Sequence, residues 1–256
     1  MPPLRYAQLR YLSLILTTWL AVFFLTRSAL LIGHLGDANV SVAQLFGVYG
    51  IGVMYDVAFL LYAALPLTLY LVLCPRRLWE KPWHNGLMHM LLAISLFAML
   101  FTAVAEWLFW DEFGVRFNFI SVDYLVYSDE VISNILESYP IYPLLAFLAL
   151  IAVIGTVLLR KVTDAALQAP LLRWRDTWTT LTALLFAAVA TTFVVGQDFP
   201  RGTGGNAYQR ELASNGPFQF FAAFRNNELE YPQFYATLPK QEVAAQLRQE
   251  VSEPNA

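Results

Sequence analysis

Three ionisable residues stand inside otherwise apolar stretches: Arg27, Asp56 and Glu106. A charge in hydrocarbon is costly, so such residues are functional-site candidates by default. An arginine can hold a carboxylate or a lipid phosphate through two parallel N–H donors. A buried carboxylate must find a cation, a hydrogen-bonding cluster or a proton. A second polar set, Arg116, Asn118, Asp123 and Tyr124, is embedded in an aromatic-rich run and could meet lipid or substrate. The carboxylates Asp123, Asp129, Glu130 and Glu137 could form an acid/base pair or bind a cation, but solvated acidic residues are the simpler reading.

The rest of the chemical inventory is thin. No G-x-S-x-G elbow, Walker A loop, H-E-x-x-H or dinucleotide fingerprint occurs. His84 and His89 are five apart, off the i, i+4 spacing of a shared helix face, and His34 lies far along the chain. They read as interfacial polar residues. The single cysteine, Cys74, allows no internal disulfide and reads as a small buried or interfacial thiol. No complete active site, metal site or cofactor site is expected in these 256 residues.

The elements that must position these side chains follow from composition. Hydrophobic residues make up 58% and charged residues 14% of the chain, against roughly 45–50% and about 25% in soluble domains. Mean hydropathy is +0.51. A water-soluble enzyme is ruled out as the default on that basis, and a net charge of −3 gives nucleic acid no basic surface. Spans are predicted at about 11–32, 49–73, 86–108, 140–159 and 177–196, since crossing a bilayer takes about 20 helical residues. The first is too long for a signal peptide and reads as a retained anchor. The fold class is an all-α integral membrane protein with five transmembrane helices, an outer amphipathic segment and an extracytoplasmic tail. Residues 1–196 form the membrane domain and 197–256 a linker.

Orientation comes from the loops. Arg5, Arg10, Arg76, Arg77, Lys81, Arg160, Lys161, Arg173 and Arg175 fall on one side, while the opposite short loops, about 33–48 and 109–139, contain only Arg116. The N-terminus is therefore predicted to be cytoplasmic. Residues 128–138 are predicted to form an outer amphipathic helix, with Val131, Ile132, Ile135 and Leu136 on its apolar side and Asp129, Glu130 and Glu137 toward water. Trp107, Trp110, Phe113, Phe117 and Phe119 are expected at headgroup depth. In the tail, 202–206 reads as a flexible loop, Asn215-Gly216-Pro217 as a turn, and 240–251 as a polar helix.

Arg27 and Glu106 can be accommodated by snorkelling toward the headgroups. Asp56 is shorter and about seven residues, or about 10 Å, inside its span, so it needs a partner. Arg27 lies at a similar depth in the preceding span, and consecutive spans are usually neighbours. An Arg27–Asp56 pair is expected to fasten them, with Arg27 also within reach of a lipid phosphate.

The run Arg116-Phe117-Asn118-Phe119-Ile120-Ser121-Val122-Asp123-Tyr124-Leu125-Val126-Tyr127, continued by Glu130 to Ile135, resembles the membrane domain of Gram-negative members of the lipoteichoic acid synthase family. So does Tyr208-Gln209-Arg210-Glu211-Leu212-Ala213-Ser214-Asn215-Gly216, followed by Phe224 to Leu229 and Tyr231; Gly50 to Asp56 is also similar. The family comprises sulfatase-like phosphoglycerol transferases of the alkaline phosphatase superfamily. The resemblance implies five spans, a helical linker and an extracytoplasmic catalytic domain with a Thr nucleophile and a divalent metal (Mn, Mg or Zn). It implies transfer or cleavage of phosphoglycerol derived from phosphatidylglycerol, or of related phosphate or sulfate esters, at the outer face of the bacterial inner membrane. The implied partners are membrane lipids, phosphatidylglycerol among them, and the chain's own C-terminal catalytic domain. That domain is expected to begin near residue 256, so the chain is expected to be a fragment, inactive alone, and no catalytic residue of the family carries over.

Two other classes remain open: a small transporter, which predicts inverted repeats and polar residues near the midplane, and a scaffold without chemistry. The topology itself is testable. Reporter fusions after residues 80 and 168 should read cytoplasmic and a fusion after residue 125 external. One reversed reading overturns it.

Overall fold

The computed structural model describes residues 5–34, 41–126, 128–196 and 207–226. They form ten helices, and among them there is no strand. The five long ones are α1 (Ala7–Gly33), α2 (Val42–Leu73), α4 (Pro82–Phe113), α7 (Ile141–Leu167) and α8 (Trp174–Val194), each long and apolar enough to cross a membrane. The short ones are α3 (Arg76–Trp79), α5 (Phe119–Val126), α6 (Ser128–Ser138), α9 (Ala207–Ala213) and α10 (Gly216–Asn226). Two compact units divide the chain, Met1–Phe224 and Arg225–Ala256. Of the second only Arg225 and Asn226, the end of α10, are described.

The five predicted spans correspond to α1, α2, α4, α7 and α8, and most of these helices run past the apolar window. An apolar run marks only what hydrocarbon requires, whereas a helix continues until its backbone groups find other partners. α2 begins early because Ser41 and Gln44 form a capping box: Gln44 N–H donates to the Ser41 hydroxyl at 3.4 Å, and Ser41 N–H to the Gln44 side chain at 2.8 Å. α4 begins with Pro82 in its first turn and ends at Gly114 in the left-handed conformation.

α1 packs against α2, α4 and α7, while α8 packs on α2. The main core gathers Tyr11, Leu12, Ile15, Leu71, Met88 and Leu92. Two polar contacts fix register inside it. The Tyr11 hydroxyl donates to Met88 O at 2.7 Å, and Trp19 Nε1 to Ser95 Oγ at 2.5 Å. At the end of the bundle rich in Lys and Arg, the N-terminus is stitched to the α7–α8 connection. Ala7 N donates to Pro170 O, Leu172 N to Gln8 Oε1, and the Tyr6 hydroxyl to Asp176. At the same end Cys74 is half-buried, 3.6 Å from Nε2 of a buried His84 that packs on Trp79 and Tyr70. His84 is thus a core residue of this end and not a surface polar one.

The 128–138 helix is present as α6. The tail differs from the expected connector: residues 207–226 fold into α9 and α10, and α9 packs on α2 and α1. Its apolar Leu212, Ala213, Phe218 and Ala222 found better burial against the helices than a solvated linker provides. The 202–206 loop, the 227–231 part of the second motif and the 240–251 helix lie outside the described residues.

Candidate functional site

The end of the bundle opposite the stitched N-terminus carries a buried network of charges. Arg27 of α1 grips Asp56 of α2 in a bidentate pair, Nη1 to Oδ2 and Nη2 to Oδ1, both at 2.8 Å. This is the expected pair. Its remaining donors point at the tail: Nε reaches Leu212 O at 3.0 Å and Nη2 reaches Ser214 O at 3.2 Å. Arg116 repeats the arrangement. Its Nη1 meets Glu106 Oε1 of α4 at 2.5 Å, its Nε donates to Glu211 O at 3.0 Å and its Nη2 to Leu212 O at 3.4 Å. All four residues are enclosed, none more than 1% exposed.

The geometry has a simple electrostatic sense. The last carbonyls of a helix carry partial negative charge and lack intrahelical donors, and the first N–H groups of the next carry partial positive charge. The two guanidinium groups cap the carbonyls at the end of α9. The two carboxylates face the start of α10. Asn215 links the halves: its Nδ2 donates to Asp56 Oδ1 at 2.8 Å, while its Oδ1 accepts the Phe218 N–H at 2.9 Å as the N-cap of α10. Burial pulls the Arg116 guanidinium below its usual range, and the Glu106 carboxylate beside it pushes back.

The close approach dictates glycine at two places. A Cβ on Gly52 would lie 2.5 Å from Arg27 Nε, and one on Gly216 2.5 Å from Glu106 Cδ. Neither contact is sterically possible without moving a buried charge.

Of the predicted site residues, Arg27, Asp56, Glu106 and Arg116 therefore converge, but in the interior. Arg27 and Glu106 do not snorkel, because partners inside the protein satisfy them at lower cost than a strained reach to water. With all its donors turned inward, Arg27 offers no lipid phosphate a docking point in this arrangement. Asn118 lies apart and half-buried, its Oδ1 accepting the Ile120 N–H at the start of α5. Asp123 and Tyr124 are exposed on α5. Trp110 is no interfacial anchor: it is 1% exposed, between His34 and Tyr208. Sequence reasoning missed Asn215 and the 211–214 carbonyls. Arg116, the one basic residue of the two short outer loops, is the available signal for the second pair.

Beside this clasp lies a cavity of about 740 Å³. Its walls are one face of α4 between Met99 and Phe113, Val131 and Ile135 of α6, Leu144 of α7 and Phe220 of α10. Aromatic contacts tie it to the clasp: Phe117, next to Arg116, packs edge-on against Phe109 at 5.3 Å and Phe220 at 6.4 Å. Among the described residues no group of three or more His, Cys, Asp or Glu converges. The metal implied by the resemblance has no donor set here, and no metal-dependent step is assigned to these residues.

The clasp makes a quantitative prediction. Asp56→Ala should destabilise the purified protein by about 3–5 kcal/mol, because it strands a buried guanidinium. Arg27→Leu with Asp56→Leu should cost less than Asp56→Ala alone, since both charges leave together. Thermal unfolding in one detergent reads both, and equal or reversed losses contradict the buried pair.

Compared with protein-family models, with curated proteins and with solved structures, the chain matches none.

Proposed function

We propose that the chain is the membrane domain of a sulfatase-like phosphoglycerol transferase of the lipoteichoic acid synthase family. In this reading it sits in the bacterial inner membrane with its N-terminus in the cytoplasm and the clasp at the periplasmic end. The nine basic residues of the N-terminus and the short loops on one side, against Arg116 in the short loops on the other, support that orientation. Its task is positional: it holds the segment after the last span at headgroup depth, so that a catalytic domain following that segment meets phosphatidylglycerol or a related phosphate or sulfate ester at the outer leaflet. A divalent metal would belong to that domain.

One observation carries this reading. The residues behind the resemblance, Arg116 in the first motif, Glu211 to Gly216 in the second, and Gly52 and Asp56 in span two, meet in one buried network. A membrane anchor alone would need no such network, because apolar spans insert without it. A domain that must fix the exit direction of its chain does need one. A transporter is less well supported, because these charges sit at one end of the bundle and are already satisfied by each other.

Two experiments test the proposal. The reading frame should continue past codon 256 into a region with a Thr nucleophile and Asp, His and Glu metal ligands; a stop codon there refutes it. With fluorescent phosphatidylglycerol and Mn²⁺, residues 1–256 should give no turnover while the longer product does. Asp56→Ala in the longer protein should lower that turnover at matched expression. Metal-dependent turnover by 1–256 itself would overturn the division of labour.

A further inference from the structure

The cavity between α4, α6, α7 and α10 is not used by the clasp. Its volume of about 740 Å³ falls within the range of about 300–1,000 Å³ typical of small-molecule sites. Its lining is largely aromatic and aliphatic, which suits acyl chain. The polar side chains on it are the more informative part. They are hydroxyls (Thr102, Ser121, Tyr124, Ser138, Tyr139), the Asn134 amide and the Glu112 carboxylate, and no Lys, Arg or His among the described residues lines it.

Charge decides what kind of lipid such a site takes. Among the described residues a phosphate would find no cation here, since Arg27 and Arg116 are enclosed and committed to carboxylates and carbonyls. It would instead face Glu112. Like charges brought together repel, so an anionic headgroup is disfavoured beside that carboxylate. A hydroxyl, by contrast, finds both kinds of partner, because Asn134 and the Ser and Tyr hydroxyls donate and accept and Glu112 accepts. Among the described residues the side chains of Glu112, Tyr124 and Asn134 have no hydrogen-bond partner.

We infer that this cavity binds an uncharged, hydroxyl-bearing acyl lipid of the diacylglycerol class in preference to anionic phospholipid. For the origin of that lipid the inference rests on the proposed function. When phosphoglycerol passes from phosphatidylglycerol to an acceptor hydroxyl, the bond between phosphorus and the diacylglycerol oxygen breaks and one to the acceptor oxygen forms. The acceptor's proton ends on the diacylglycerol oxygen, so the lipid left behind is neutral. The cavity would collect that lipid at the clasp end while rejecting unreacted phosphatidylglycerol. Phe220 lines it and Gly216 touches Glu106, so the clasp that fixes α10 also sets the width of the site.

The test is photolabelling of the purified chain, in nanodiscs, with a diacylglycerol bearing a diazirine on one acyl chain. Label should map to 99–113 or 128–138. Unlabelled diacylglycerol should compete about tenfold better than phosphatidylglycerol, and better than phosphatidylethanolamine. Ala105→Trp should fill the cavity and abolish labelling. Glu112→Lys, at an exposed position that folding tolerates, should shift competition toward phosphatidylglycerol. Equal competition by either phospholipid, label elsewhere, or an unmoved preference in Glu112→Lys each overturns the assignment. Failure of turnover in the longer protein with labelling intact sinks the transferase reading alone, and the reverse result sinks the lipid site alone.

Discussion

A guanidinium withdrawn from water must have its donors and its charge satisfied at once, and at the clasp end of this bundle two of them are. Removing an ion from water costs several kcal/mol even after relaxation, and one carboxylate repays that only with good geometry and additional hydrogen bonds. Arg27 and Arg116 meet the condition by dividing their donors between a carboxylate and backbone carbonyls. Three long helices, the loop after α4 and the α9–α10 turn must therefore be in place together. None of them can shift without leaving a charge or a polar group uncompensated.

The same constraint shapes the apolar space beside it. With α10 held through Asn215 and the Gly216–Glu106 approach, its Pro217 and Phe220 are fixed as part of the cavity wall. The polar interior of the clasp and the apolar interior of the cavity are thus two faces of one placement. Because the cations are spent in the first, the second has Glu112 as its one charged group among the described residues.

Much of the architecture was legible in the sequence. The apolar runs gave the five long helices, because nothing else can hold about 20 consecutive apolar residues. Equal depth in adjacent spans gave the Arg27–Asp56 pair, and 3–4 spacing of Val131, Ile132, Ile135 and Leu136 gave α6. What escaped has physical causes. The arginines contact the tail through carbonyl oxygens of Glu211, Leu212 and Ser214, and every residue has such an oxygen, so no side-chain pattern advertises it. Glu106 escapes for a different reason: its depth is visible in the sequence, while its side-chain partner lies ten positions further on, beyond the glycine that ends the helix.

The carbonyl contacts also impose an order in time. Arg27 and its acceptors at the end of α9 and just after it are 185 and 187 residues apart. During synthesis the first two spans can pair as soon as both are made, but the remaining donors of Arg27 wait until residue 214 has emerged. Until then the clasp end holds a charge with half its partners missing, and water must fill the gap. The last span is therefore not where this fold is finished. Completion comes some twenty residues later, when a short turn closes over the bundle, and a ribosome that stopped at residue 196 would release five helices whose charged end was still open.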